Sequence, residues 1–168
     1  MPNHARTDPV ALNSARIRIA GADPASDAAR RCLQSYFAEL ARRFENGFDP
    51  GPVTDADLAA FRPPEGCFLI ADCDGEPVGC VGLAGDGGTL AEVKRLWIAP
   101  AARGLGLATR LMNAVEARAH ALGITRLRLD TNRALTNAIA MYRAKGWAAI
   151  PAYNDNPYAV HWFAKRLD

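Results

Sequence analysis

Lysine is scarce in this 168-residue chain: of its 20 basic residues only Lys94, Lys145 and Lys165 are lysine, and the other 17 are arginine. The basic set is nearly cancelled by 18 acidic residues, which leaves a formal net charge of +2. That balance speaks against a broad nucleic-acid face built on phosphate contacts. No run of about 18 apolar residues occurs, so no helical membrane span is expected. The opening residues 1–14 are polar, carry Pro2 and Pro9, and do not read as a secretory signal. Cysteine is also sparse. Cys32, Cys67, Cys73 and Cys80 form no C-x-x-C pair and lie far in sequence from His4, His120 and His161, so neither a zinc site nor a disulfide scaffold is expected. The expected setting is cytoplasmic, with reduced cysteines acting as small core hydrophobes and no metal.

What is present is a chain 49% hydrophobic and long enough for one self-sufficient core. There is no internal repeat or linker, so the expected organisation is a loose tail over 1–14 and a single domain over 15–168. Arg16-Ile17-Arg18-Ile19 alternates as a strand does. Asp23-Pro24 reads as a helix start, and Leu33, Phe37, Leu40 and Phe44 continue a helical stripe stopped by Gly47. A loop rich in Gly and Pro follows over Asn46–Pro52, then one short helix around Leu58 and Phe61. Cys67–Ala71 and Val78–Leu83 flank Asp74-Gly75 as a hairpin, and Leu90–Ile98 is a longer strand ended by Pro100. A helix over about 103–122, a strand at Leu127 and Leu129, a helix over about 134–145, and strands over Trp147–Ala152 and Tyr158–Leu167 complete the pattern. Three successive strands followed by strand–helix alternation imply an α/β fold with a mixed sheet and helices on both faces.

The stretch Leu96-Trp97-Ile98-Ala99-Pro100-Ala101-Ala102-Arg103-Gly104-Leu105-Gly106-Leu107-Ala108-Thr109 carries the chemistry. A buried strand ends, and a glycine turn opens a long helix whose first amides have no partner within the helix. Gly104 and Gly106 remove Cβ atoms that would hold a bulky anion away, and Arg103 adds a fork of donors. The inference is a pyrophosphate cradle. A Walker loop is absent because no G-K-[ST] follows, and G-x-G-x-x-G fails at Thr109.

Arg103-Gly104-Leu105-Gly106-Leu107-Ala108 is similar to the Q/R-x-x-G-x-G/A signature of the GNAT superfamily of N-acetyltransferases. Ile98-x-Pro100 resembles that family's V-x-P lead-in. Ala138–Trp147 is similar to its A-x-x-L-Y-x-x-x-G-F segment, with Met141 for Leu and Trp147 for Phe. The resemblance covers about residues 15–167. It implies a largely antiparallel sheet of about six or seven strands with one splayed parallel pair. It also implies acetyl-CoA as co-substrate, a primary amine of a small molecule or peptide as acceptor, and direct attack in a ternary complex; homodimers are common in such folds.

On the same resemblance, Leu96, Trp97 and Ile98 pair with the pantetheine arm, and Arg103, Gly104, Leu105, Gly106, Leu107, Ala108 and Thr109 hold pyrophosphate. Glu92 takes the place of a general base, which it can fill directly or through water. The alternative is a strand glutamate paired with Lys94 or Arg95. Tyr142 matches the tyrosine that protonates the departing thiolate, and its helical stripe also fits the core. The family often has Asn or Gln seven residues before that tyrosine. Here Leu135 stands there, with Asn132 and Asn137 as substitutes. The loops Asn46–Pro52 and Tyr153–Tyr158 are expected to wall the amine site, with Asp155 for a cationic amine and Phe48, Tyr153, Tyr158, His161 and Trp162 shaping it; ordinary turn chemistry and core packing account for the same residues. A non-catalytic acyl-CoA-binding module and an ATP- or NAD-binding protein using the same turn are the competing readings.

Overall fold

The computed structural model describes residues 12–168. Of the expected tail, 1–11 lie outside the described residues, and Ser14–Arg16 form a short 3-10 turn capped by the Asn13 side chain. The elements are β1 (Ile17–Gly21), α1 (Asp27–Arg43), α2 (Asp55–Ala59), β2 (Cys67–Cys73), β3 (Glu76–Gly85), β4 (Leu90–Ile98), α3 (Leu107–Ala121), β5 (Arg126–Thr131), α4 (Thr136–Ala144), β6 (Ala148–Ala149) and β7 (His161–Arg166). They form one 7-stranded sheet in the order β1-β2-β3-β4-β5-β7-β6. Every neighbouring pair is antiparallel except β4 with β5. This is the mixed, largely antiparallel sheet that the sequence pattern and the resemblance imply.

Period-2 alternation distributes the strands' side chains between two cores. Leu69, Ala71, Val81, Leu83, Ala91, Val93, Leu127 and Leu129 pack with Leu107, Leu111, Met112 and Val115 of α3. Phe68, Ile70, Cys80 and Trp97 pack on the opposite face with Ala29, Cys32 and Leu33 of α1.

Several element ends differ from expectation for identifiable reasons. Asp23 does not cap α1: its carboxylate accepts from the Ala25 amide and from Arg62, so the helix begins at Asp27 with Ser26 as its cap. α3 begins at Leu107 rather than near 103, because Gly106 has φ 73° and cannot continue a helix backwards. The strand expected over Trp147–Ala152 shrinks to Ala148–Ala149.

β4 carries a bulge. Gly82 faces Lys94 and Cys80 faces Trp97, so one extra residue is accommodated around Arg95, whose φ is 62°. A non-glycine residue in that left-handed region is uncommon and marks a locally imposed geometry.

Candidate active site

β4 and β5 are paired only from Leu90↔Arg126 to Glu92↔Arg128. Beyond Glu92, β4 continues along β3 while β5 pairs with β7, and the two parallel strands part. A cavity of about 430 Å³ opens in this gap. Its walls come from the outer half of β4, the end of β5, the inward side of α1, the turn into α3, and α4.

The turn supplies the most distinctive wall. Gly104 has φ 79° and Gly106 φ 73°, and a Cβ built on either would meet nothing within 4 Å: the space before them is open. The Arg103 amide donates to Pro100 and the Arg110 amide to Gly106, but among the described residues no amide from Gly104 through Thr109 donates to a backbone carbonyl. No side chain caps α3 either. Free donors, open space and the positive end of a 15-residue helix coincide, which is the physical make-up of an anion cradle.

Of the residues singled out in sequence, Leu96, Trp97, Ile98, Arg103, Gly104, Gly106, Leu107, Ala108, Thr109, Asn137 and Tyr142 all line this cavity. Leu105 does not; it packs against the larger core. Glu92 is also outside the walls. Its carboxylate lies 3.3 Å from Lys94 Nζ and 3.8 Å from Arg128 Nε, the paired strand glutamate that the sequence also admitted.

Arg103 also has partners within the chain. Its Nε and Nη2 donate to the Ile98 carbonyl at 3.2 and 3.0 Å, and Nη2 meets Glu39 of α1 at 2.5 Å. Glu39 is buried and also accepts from Arg43, which in turn donates to the Ala134 carbonyl before α4. The guanidinium thus ties the end of β4 to α1 and occupies a carbonyl that the resemblance assigns to pantetheine.

Tyr142 belongs both to the core and to the cavity wall. It packs against Trp147 and Phe163 in the core and lines the cavity. Burial pushes its phenol well above the usual tyrosine range, so it stays protonated. Leu135 lines the cavity beside Asn137, whereas Asn132 holds the Tyr158 carbonyl and caps the Ala134 amide.

The late loop does not wall the cavity with Asp155, Tyr153, Tyr158, His161 or Trp162, and the early loop does not contribute Phe48. Asp155 is exposed and His161 stacks on Phe163. Phe48 and Tyr158 pack together, and the Asp49 amide donates to the Tyr158 hydroxyl, which pins one loop to the other. Asn154 and Asn156 act at one remove from the cavity, since their carboxamides donate to Asp130 of β5 at 2.7 and 3.3 Å. Asp130 lines the cavity, and this loop fixes its orientation.

Asp130, Arg95, Tyr36 and Glu39 are the site residues that sequence reasoning passed over. Arg95 left a trace, because the alternation in Leu90–Ile98 breaks at Lys94-Arg95, where two charges fall in succession. Asp130 left a weaker one, as the acid ending the alternating Arg126–Asp130 strand. Tyr36 and Glu39 sit on a helix whose partner could not be read locally. Near Asp130, the Tyr153 hydroxyl is buried with no hydrogen-bond partner among the described residues. Burial and the neighbouring Glu92 and Asp130 carboxylates push that phenol far up.

A model of the acetyltransferase (GNAT) family matches residues 33–147, a span that runs from α1 through the turn to Trp147. The chain belongs to the GNAT acetyltransferase family. Among its relatives, an IAA acetyltransferase of Azospirillum brasilense is 33% identical over 133 residues, covering 79% of this chain and 84% of that protein. Among solved structures, a GNAT-family acetyltransferase from Staphylococcus aureus superposes with a TM-score of 0.73 at 16% identity, over 90% of this chain and 99% of that one. The N-acetylglutamate synthase of Neisseria gonorrhoeae, solved with coenzyme A and L-arginine, gives 0.62 at 18% identity, over 90% of this chain and 33% of that one. In this GNAT chain the matched span contains the whole cradle and α4, and stops before the loop that orients Asp130. Among the described residues, no group of three or more His, Cys, Asp or Glu side chains could hold a metal ion, and no helix is long and apolar enough to cross a membrane.

Proposed function

We propose that this GNAT protein transfers the acetyl group of acetyl-CoA to the primary amine of a small molecule or peptide by direct attack in a ternary complex. The observation that carries the reading is the row of undonated amides from Gly104 to Thr109, opening onto a cavity whose inner walls bear Tyr142 and Asp130. When bound, acetyl-CoA supplies the electrophilic thioester carbonyl.

The chain's own residues divide the remaining work. The turn amides and the α3 dipole hold pyrophosphate, and the free edge of β4 around Leu96 and Trp97 orients the pantetheine arm, with Asn137 beside it. Asp130, placed directly in the cavity wall, accepts the proton of the attacking amine. Glu92, held back by Lys94 and Arg128, serves as the more distant base through water. Tyr142, kept protonated by burial, donates its proton to the departing thiolate. The four free cysteines, all buried, support the reading of a reducing, cytoplasmic setting.

The test is thiol release from acetyl-CoA across a panel of amines, together with thermal stabilisation by CoA against ATP and NAD. Stabilisation by CoA alone and turnover of at least one amine are expected. Tyr142→Phe and Asp130→Asn should each lower kcat by about 10²-fold or more with CoA stabilisation retained. Glu92→Gln should cost less than Asp130→Asn. Stabilisation by ATP or NAD but not CoA would sink the proposal.

A further inference from the structure

Resting on the acetyltransferase reading, we infer that the acceptor carries a carboxylate as well as its amine, and that Arg95 binds that carboxylate. The acceptor class is therefore a small amino acid or a closely similar amino carboxylate.

The inference begins from an unspent cation. Arg95 lines the cavity, yet its guanidinium makes no hydrogen bond and no ion pair among the described residues, and its Nη1 is shut from solvent without a partner. The neighbouring cations are all committed. Arg103 is held by Glu39 and Ile98, Lys94 by Glu92, and Arg43 by Glu39 and Ala134. The acid that bears on Arg95 from α2, Asp57, is itself engaged in the capping box with Thr54.

Half-burying a guanidinium with no acceptor is costly unless a ligand provides one. Here the fork is held in place rather than left to wander. Its Cζ lies 4.6 Å from the Phe61 ring centroid and 6.0 Å from that of Phe37, and its backbone is fixed in the left-handed bulge of β4. A planar carboxylate matches a guanidinium fork through two parallel hydrogen bonds, which a neutral alkyl amine cannot offer.

The opposite requirement is met across the same cavity. Asp130 is oriented by Asn154 and Asn156 and faces the same space, an acceptor of the kind an ammonium seeks. Tyr36 lines the same cavity; burial above all pushes its phenol up, with Asp130 adding to that and Arg95 opposing it. One wall thus presents an acid for the amine and another a cation for an anion, the arrangement that recognises a molecule bearing both charges.

The experiment compares matched pairs under saturating acetyl-CoA: L-leucine with isoamylamine, L-phenylalanine with 2-phenylethylamine, and each amino acid with its amide. The expected result is that at least one amino acid exceeds its decarboxylated and amide partners in kcat/KM by about tenfold or more. In Arg95→Met the gap should close while KM for acetyl-CoA is unchanged, and Arg95→Lys should restore part of it. Equal or faster turnover of the neutral partners, or a gap that survives Arg95→Met, would overturn the carboxylate assignment while leaving the acetyltransferase intact. Thermal shift of the CoA-saturated protein with the same amino acids separates the remaining cases. Stabilisation lost in Arg95→Met but without turnover keeps the subsite and removes the acetyltransferase reading. Neither stabilisation nor turnover overturns the inference.

Discussion

At the residue scale, Arg103 shows how a motif position can carry a structural duty beside any contact with a ligand. Its guanidinium is bonded to a strand carbonyl and to a buried glutamate on α1, so it holds two elements together before any phosphate arrives. Arg103→Ala should therefore destabilise the protein in the absence of CoA by about 1.5–3 kcal/mol, the range for hydrogen bonds to charged groups, with the lower part favoured because Arg103 is itself 44% exposed and Arg43 still reaches Glu39. Urea unfolding of the free protein measures this. An unchanged midpoint with weakened CoA binding would assign the residue to phosphate alone. The Gly-x-Gly pattern beside it was legible because its meaning is local. Glu39 was not, because its partner lies 64 residues away on a different element.

At the scale of elements, the turn into α3 is the part on which sequence and structure agree most closely, apart from where the helix itself begins. Pro100 ends a strand, and Gly106 takes a left-handed conformation that only glycine adopts cheaply. Gly106→Ala should cost about 1 kcal/mol of stability through its backbone and, separately, weaken CoA binding because the new methyl stands in the cradle. Gly123→Ala provides the control. Gly123 has φ 80° and equally open surroundings at the other end of α3, so it should show the stability loss with CoA affinity unchanged. Chemical denaturation and calorimetric titration with CoA read the two effects independently. The late loop was less legible. Asn154, Asp155 and Asn156 announce a turn in any context, and only the sheet order, which brings β7 beside β5, shows that the two asparagines hold Asp130.

For the whole molecule, the order of strands and helices was readable because each element has its own periodicity, whereas the cavity arises from how β4 and β5 part, a property of no single segment. The two cores on either face of the sheet enclose phenols whose ionisation folding resists. Burial raises the Tyr142 pKa above its unfolded value near 10, so the folded state holds that proton more tightly. The corresponding stability is complete below about pH 10 and is lost as the pH rises beyond it, at about 1.4 kcal/mol per pH unit for such a phenol. Thermal melts between neutral pH and pH 11 should show this decline, and Tyr142→Phe should make it shallower. An identical slope in that variant would mean that Tyr142 ionises freely in the fold.

The bulge at Arg95 is also a parity switch. Before it, odd-numbered residues of β4 such as Ala91 and Val93 point toward α3; after it, the even-numbered Leu96 and Ile98 join that side and the odd-numbered Trp97 turns toward α1. Strict alternation through all nine residues would drive Trp97 beneath α3 and turn Leu96 and Ile98 away from it. Skipping Arg95 in the count restores the alternation, with Val93 and Leu96 on one side and Lys94 and Trp97 on the other. The ladder with β3 then also closes residue for residue, from Gly82↔Lys94 to Cys80↔Trp97. Arg95 is thus supernumerary to the sheet: both cores would keep their side chains without it, and what it adds is one more charged residue lining the cavity.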